Sequence, residues 1–258
     1  MIFDTHMHSE FSFDSEMKVT EILEASQNQN IGICLTEHVD LDQENLPLID
    51  MDKYLDFYKK YKSDKFLVGI ELGMSKNNAD KTIDFANKYK KDLDMVIGSI
   101  HSLYNRDIFY LMRDIDLDKN KVYTDYLENI LYCIETFDYF DTLGHIDYIS
   151  RYSTYEDKEV NFEEFKPLID KIFKTLICKN KTLELNTRRL DKEEAFSNLL
   201  KIYTRYKDLG GKYVTIASDA HSQNAIGINF DKAKEILKLT GLTPVYFKNR
   251  KMIIIKEA

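Results

Sequence analysis

Short apolar runs recur along the chain, and between them apolar residues fall at helical spacing. The runs at 1–7, 31–37, 66–72, 95–100, 139–146, 182–186 and 213–218 are predicted strands, followed by a terminal one at 252–255. Helical spacing is clear in Val19, Ile22, Leu23 and Ala25, and again in Val122, Tyr126, Leu127, Ile130, Leu131 and Ile134. It returns in Phe162, Phe165, Leu168, Ile169, Ile172, Phe173 and Leu176. A further helix carries Phe196, Leu199, Leu200, Tyr203 and Tyr206 and stops at Gly210-Gly211, a natural C-terminal signal. The aromatic stripes are core positions. The strands are nearly continuous in apolar character, as expected when both faces are covered. Their alternation with helices predicts an α/β fold with a parallel sheet and right-handed crossovers. Seven strand–helix units precede the terminal strand, which favours a seven-stranded barrel over an eight-stranded one. In such barrels the chemistry gathers where strands deliver their C-terminal ends.

Composition narrows the function classes. At 258 residues and 43% hydrophobic content, with no Pro/Gly/Ser-rich linker or repeat, the chain reads as one domain spanning 1–258. The net charge of −8 is spread without a basic block, which argues against nucleic acid and against an anionic membrane surface as partners. An anionic substrate would need local cations. None of the nine glycines forms a GxGxxG or GxxxxGK phosphate loop. Cys34, Cys133 and Cys178 are odd in number and set in apolar surroundings, so they read as buried free thiols of a reducing compartment. No apolar run approaches the ~18 residues of a membrane span, and the first strand leaves no room for a signal peptide. A cytoplasmic location is expected.

All six histidines lie in short motifs at the ends of strand-like runs. They are His6 and His8 in Asp-Thr-His-Met-His, His38 in Thr-Glu-His, His101 in Gly-Ser-Ile-His, His145 in Gly-His-Ile-Asp and His221 in Ser-Asp-Ala-His. Residues two apart on a strand share a face, so His6 and His8 can meet one ion, and Asp219 and His221 repeat that geometry. Glu71 ends the apolar run Phe-Leu-Val-Gly-Ile-Glu, where a carboxylate without compensation is costly. A salt bridge at the barrel rim would compensate it; a metal ion would do so together with the histidines. Imidazole mixed with the hard oxygens of Asp14, Glu71 and Asp219 suits several divalent ions better than one structural zinc.

The ordered set from His6-Met-His8-Ser-Glu-Phe-Ser-Phe-Asp14 through Thr-Glu-His38, Gly-Ile-Glu71, Gly-Ser-Ile-His101 and Gly-His145-Ile-Asp to Ser-Asp219-Ala-His221 resembles the polymerase-and-histidinol-phosphatase (PHP) family. The resemblance spans nearly the whole chain. It implies a distorted (β/α)7 TIM-like barrel, a metallophosphoesterase domain, and three divalent ions, with zinc, manganese and iron the candidates. It implies that His6 and His8 bind a first ion with Glu71 and Asp219. Glu71 would bridge to a second ion completed by His101 and His145, and Asp14, His38 and His221 would hold a third. Asp14 stands where some members of the family carry histidine.

Clustered divalent ions can neutralise phosphoryl oxygens, lower the pKa of a bound water and stabilise a leaving oxygen, so no covalent nucleophile is required. Glu71 and Asp219 are the candidate catalytic carboxylates, and Asp219 and Glu37 the candidate general acids. Within the family, the segment His-Ser-Glu-Phe-Ser-Phe-Asp-Ser is most like the stand-alone phosphatases of histidine biosynthesis, which implies L-histidinol phosphate as substrate. A PHP-type tyrosine phosphatase is the alternative, and a metal-binding regulator without turnover belongs to another class. Arg151, Arg188 and Arg189 follow strand ends and are candidates to grip the phosphate, since guanidinium is a planar fork matched to its oxygens. The run Asn186-Thr187-Arg188-Arg189 departs from the family pattern of Asn-Thr followed by a small residue and glycine. Glu184 is open to two readings, a partner for the ammonium of histidinol or a hydrogen bond inside the barrel.

Overall fold

In the computed structural model, which describes residues 1–43, 46–114 and 116–256, the wall of the molecule is a parallel sheet in chain order. Its strands are β1 (Phe3–Asp4), β2 (Gly32–Val39), β3 (Phe66–Gly73) and β4 (Val96–Ser99). A small hairpin of β5 (Ser102–Leu103) and β6 (Arg106–Asp107) leaves the wall, which resumes with β7 (Thr142–Leu143), β8 (Thr182–Asn186) and β9 (Tyr213–Ala217). Each wall strand pairs in parallel with the next. Closure comes from the segment after β1. Thr5 N donates to Ile216 O, Asp219 N to His6 O and His8 N to Ala220 O, each at 2.9 Å. The result is a TIM-like barrel of seven parallel strands.

Strand lengths depart from the sequence pattern. The run 1–7 forms regular strand only at Phe3–Asp4, and 139–146 only at Thr142–Leu143. Two further strands follow, β10 (Thr243–Lys248) and β11 (Lys251–Ile254). Pattern reading passes over β10 because Pro244 interrupts it, and proline cannot donate within a sheet. The expected terminal strand is β11, and it runs antiparallel to β10 rather than adding another parallel unit. Asn249 and Arg250, at φ 49° and 62°, make the tight turn between them.

This hairpin explains the distortion. The first half of β9 (213–215) pairs with β10, and only the chain beyond it pairs with the segment after β1. Val245, Phe247 and Ile255 pack with Phe3, Cys34, Leu67, Met95 and Ile97 at the N-terminal mouth. Arg250 Nε donates to Asp141 at 2.6 Å, and Asn249 N to Asp94 at 3.0 Å. The plugged end leaves the C-terminal mouth for chemistry.

Helices cover the outside as the periodicity predicts. Val122, Tyr126, Leu127, Ile130 and Ile134 are buried on helix Lys119–Thr136, and Phe165, Ile169, Ile172, Phe173 and Leu176 on helix Phe162–Cys178. Cys34 and Cys133 are buried free thiols, but Cys178, the last residue of its helix and two positions beyond buried Leu176, is exposed. No helix among the described residues is long and apolar enough to cross a membrane.

The seam between β1 and β9 rests on one carboxylate. Asp4, fully buried, accepts from Ser218 N at 2.9 Å, Ser218 Oγ at 2.6 Å and Gly227 N at 2.9 Å. Asp4→Ala strands these donors, and a buried donor left unpaired costs ~1–3 kcal/mol. We expect a melting temperature lower by roughly 5–10 °C in a scanning calorimeter. An unchanged value would show that the seam does not depend on Asp4.

Candidate metal centre

Every histidine motif reaches the C-terminal mouth. His6 and His8 follow β1, His38 lies near the end of β2, and Glu71 occupies β3. His101 follows β4, His145 follows β7, and Asp219 and His221 follow β9. Asp219 adopts the left-handed region at φ 55°, which aspartate tolerates, while its N–H closes the barrel.

Glu71 is the hub. Its Oε1 lies 2.8 Å from His145 Nε2 and 3.1 Å from His101 Nε2, and it accepts from Ser99 Oγ at 2.7 Å. Its Oε2 lies 3.2 Å from His6 Nε2, 3.6 Å from His8 Nε2 and 3.1 Å from His38 Nδ1. The carboxylate is completely buried, and among the described residues no lysine or arginine pairs with it. A rim salt bridge therefore does not account for it. Asp219 Oδ1 lies 3.4 Å from His8 Nε2 and 3.8 Å from His6 Nε2. At the outer edge, half-exposed Asp14 lies 3.0 Å from His221 Nε2 and 3.5 Å from His38 Nε2. The nine residues singled out in the sequence converge on one cluster: seven line a single pocket, and His6 and His8 lie buried behind it against Glu71.

The imidazoles are oriented from behind. Nδ1 of His6 meets Glu184 at 2.9 Å, Nδ1 of His101 meets Asp40 at 2.8 Å, and Nδ1 of His8 meets Ser12 Oγ at 3.2 Å. Nδ1 of His221 faces the carbonyl of Asp219 at 3.0 Å. A ring that donates through Nδ1 presents the Nε2 lone pair to the centre, the arrangement that metal-binding histidines share. Sequence reading missed Asp40, although its spacing from His38 repeats the two-residue interval of the other pairs. Glu184 takes the barrel-interior role, accepting also from His145 N at 3.1 Å and Asn186 Nδ2 at 2.8 Å. Glu37 is not placed for proton transfer to substrate: fully buried, it is held by Ser9 N and by the hydroxyls of Ser9 and Ser12.

Charge makes the case for ions. Burial resists ionisation of Glu71, but His6, His101 and His38 hold its carboxyl well below the usual glutamate range. Burial likewise resists charge on His6, and Glu71, Glu184 and Asp219 override it, raising that imidazole. His8 and His145 are lowered, chiefly by burial. The hub demands positive charge. Nε2 of His6 and His8 lie 3.1 Å apart, and His38 Nδ1 and Glu71 Oε2 are buried without hydrogen-bond geometry. Triplets of ligand atoms within 4.8 Å of one another include His6–His8–Glu71, His38–Glu71–His101 and His8–His38–His221. Convergent lone pairs of nitrogen and oxygen fit zinc, manganese or iron.

The arginines divide. Arg151, on the short helix Tyr148–Tyr152, pairs with Asp219 and reaches Asn186 at 3.1 Å. Arg188 donates to the carbonyl of Asp219 at 3.1 Å, with much of its side chain exposed at the pocket. Arg189 turns away, tied to Asp147 at 2.6 Å and to Glu159. Burial opposes ionisation of Asp219, and Arg151 and His6 override it, which suits a ligand rather than a proton donor.

Comparison with known proteins follows the same lines. The PHP domain model matches residues 4–188. A Clostridium acetobutylicum protein named probable histidinol-phosphatase is 40% identical, over 98% of this chain and 99% of its own. The histidinol-phosphatase of Lactococcus lactis subsp. lactis is 30% identical, over 92% and 91%. A crystal structure of histidinol phosphate phosphatase from L. lactis, complexed with zinc, L-histidinol and phosphate, superposes with a TM-score of 0.90 at 26% identity, covering 98% of each chain.

The hub geometry makes a stoichiometric prediction. Elemental analysis of protein purified without chelator should show more than one equivalent of transition metal. Glu71→Ala should lose more of it than Asp14→Ala, because Glu71 faces two groups of ligands. Equal losses would contradict the bridging role.

Proposed function

The chain belongs to the PHP domain family, and on that footing we propose that it is a metal-dependent histidinol-phosphatase, hydrolysing L-histidinol phosphate to L-histidinol and phosphate. The carrying observation is the full-length superposition, at a TM-score of 0.90, on a phosphatase holding zinc, L-histidinol and phosphate. The residues of this chain fit that chemistry. His6 and His8 with Glu71 and Asp219, His101 and His145 with Glu71, and Asp14 with His38 and His221 would hold three ions. Bound there, divalent ions supply charge neutralisation at the phosphoryl oxygens and acidify water.

The chain's own groups do the rest. Asp40, Glu184, Ser12 and the carbonyl of Asp219 keep the imidazoles aimed inward. Arg151 and Arg188, on one flank of the pocket, bind the non-bridging phosphate oxygens. Asp219 places Arg151 there and keeps its own charge. The ions and these two guanidiniums answer the repulsion that a net charge of −8 would otherwise exert on a phosphate dianion. The domain spans 1–258, and the three free thiols fit the reducing cytoplasm.

Steady-state kinetics test this reading. L-histidinol phosphate should be turned over with a far higher kcat/KM than a phosphotyrosine peptide, and the reverse order would install the tyrosine phosphatase. Arg151→Ala and Arg188→Ala should each lower kcat/KM roughly thirtyfold, the effect of losing a charge-assisted phosphate contact. For Arg188 the loss should lie mainly in KM. Arg189→Ala, which breaks an ion pair outside the pocket, should cost less. A larger loss at Arg189 than at Arg188 would relocate the clamp.

A further inference from the structure

Four of the ligand imidazoles are backed through Nδ1, and three of their partners allow one arrangement only. The carboxylates of Glu184 behind His6 and Asp40 behind His101, and the carbonyl of Asp219 behind His221, can only accept. Each of those rings therefore carries a proton on Nδ1. The partner of His8 is different. Ser12 Oγ, 3.2 Å from His8 Nδ1, is a hydroxyl, which can donate as readily as accept. Were it to donate, His8 would hold its proton on Nε2, and the lone pair facing the centre would be lost.

Glu37 removes the choice. It precedes His38 on β2, so its side chain points to the other face of the strand. There it is completely buried, and among the described residues its partners are hydrogen-bond donors, with no lysine or arginine paired to it. Ser9 N donates to both carboxylate oxygens at 3.0 Å, and Ser9 Oγ donates to Oε1. Ser12 Oγ donates to Oε2 at 2.6 Å, and His38 N donates to Ser12 Oγ at 3.1 Å. An amide N–H cannot accept and a carboxylate cannot donate, so the single proton of Ser12 is committed to Glu37. Only a lone pair is left for His8, whose Nδ1 must bring the proton.

An anion sealed in the interior without a cation is costly. A glutamine of the same shape would escape that cost but lose the direction, because its NH2 group would turn the hydroxyl of Ser12 around or oppose Ser9. We propose that Glu37 is a positioning residue that sets the tautomer of His8 through Ser12 and so holds the His8 Nε2 lone pair ready for an ion. The same hydroxyl pins the backbone of His38, so one carboxylate steadies two ligand segments. The proposal rests on the reading of His8 as a metal ligand.

Nitrogen NMR of zinc-loaded protein carrying isotope-labelled histidine reports the tautomer directly. In the wild type, His8 should be protonated on Nδ1 and bound to zinc through Nε2. Zinc on Nδ1, or a proton on Nε2, would overturn the proposal. Chelator competition supplies a second readout. Glu37→Gln should weaken zinc binding roughly tenfold or more, as loss of a partner behind a metal ligand does. Ser12→Ala should do the same, and the double variant should bind no more weakly than Ser12→Ala, since without the hydroxyl Glu37 has no route to His8. Unchanged affinity in Glu37→Gln, or losses that add in the double variant, would overturn the proposal. If Glu37→Gln does not fold, Glu37→Asp takes its place: it keeps the charge but falls a methylene short of Ser12, and the same loss is expected. Wild-type protein that takes up no zinc would instead refute the metal centre, before Glu37 comes into question.

Discussion

A completely buried carboxylate with no fixed cation beside it among the described residues is the constraint on which this structure turns. Glu71 has given up water at the centre of the barrel mouth, and its neighbours are five imidazoles and a serine hydroxyl. Neutral imidazoles cannot offset the cost of desolvating a charge, which runs to several kcal/mol even after relaxation. Positive charge must come from protons or from metal ions, and both compete for the same nitrogen lone pairs. Divalent ions resolve the conflict, because they satisfy the carboxylate while leaving the imidazoles neutral.

The rest of the barrel serves that arrangement. The seam between β1 and β9 brings His6, His8, Asp219 and His221 to one edge, and its backbone hydrogen bonds run through the ligand residues themselves. A second layer of Asp40, Glu184 and Ser12 fixes the rings from behind, so the lone pairs converge before an ion arrives. The hairpin of β10 and β11 closes the opposite mouth with apolar side chains and ties its turn to Asp94 and Asp141. Arg151 and Arg188 reach the open mouth from one flank, one paired with the Asp219 carboxylate and the other with its carbonyl.

Much of this was legible in the sequence, because strand geometry writes itself as a two-residue interval. His6 with His8, and Asp219 with His221, could be placed on shared faces from spacing alone, and Glu71 stood out as a charge ending an apolar run. Asp40 obeys the same interval from His38 but went unseen, since a lone aspartate after a strand looks like any loop residue. Choosing between Arg188 and Arg189 needs the third dimension: they are adjacent in sequence, and only the ion pairs of Arg189 with Asp147 and Glu159 draw it away. The plug strand was masked by Pro244, and the hairpin of β5 and β6 by strands of only two residues each. Such short elements carry too little periodicity to register.

The account stands or falls on where the ions sit. Anomalous X-ray scattering from crystals of the zinc-loaded protein measures this directly. It should show three peaks, two of them flanking the carboxylate of Glu71 and the third against Asp14 and His221. A single peak, or ions bound away from Glu71, would contradict it.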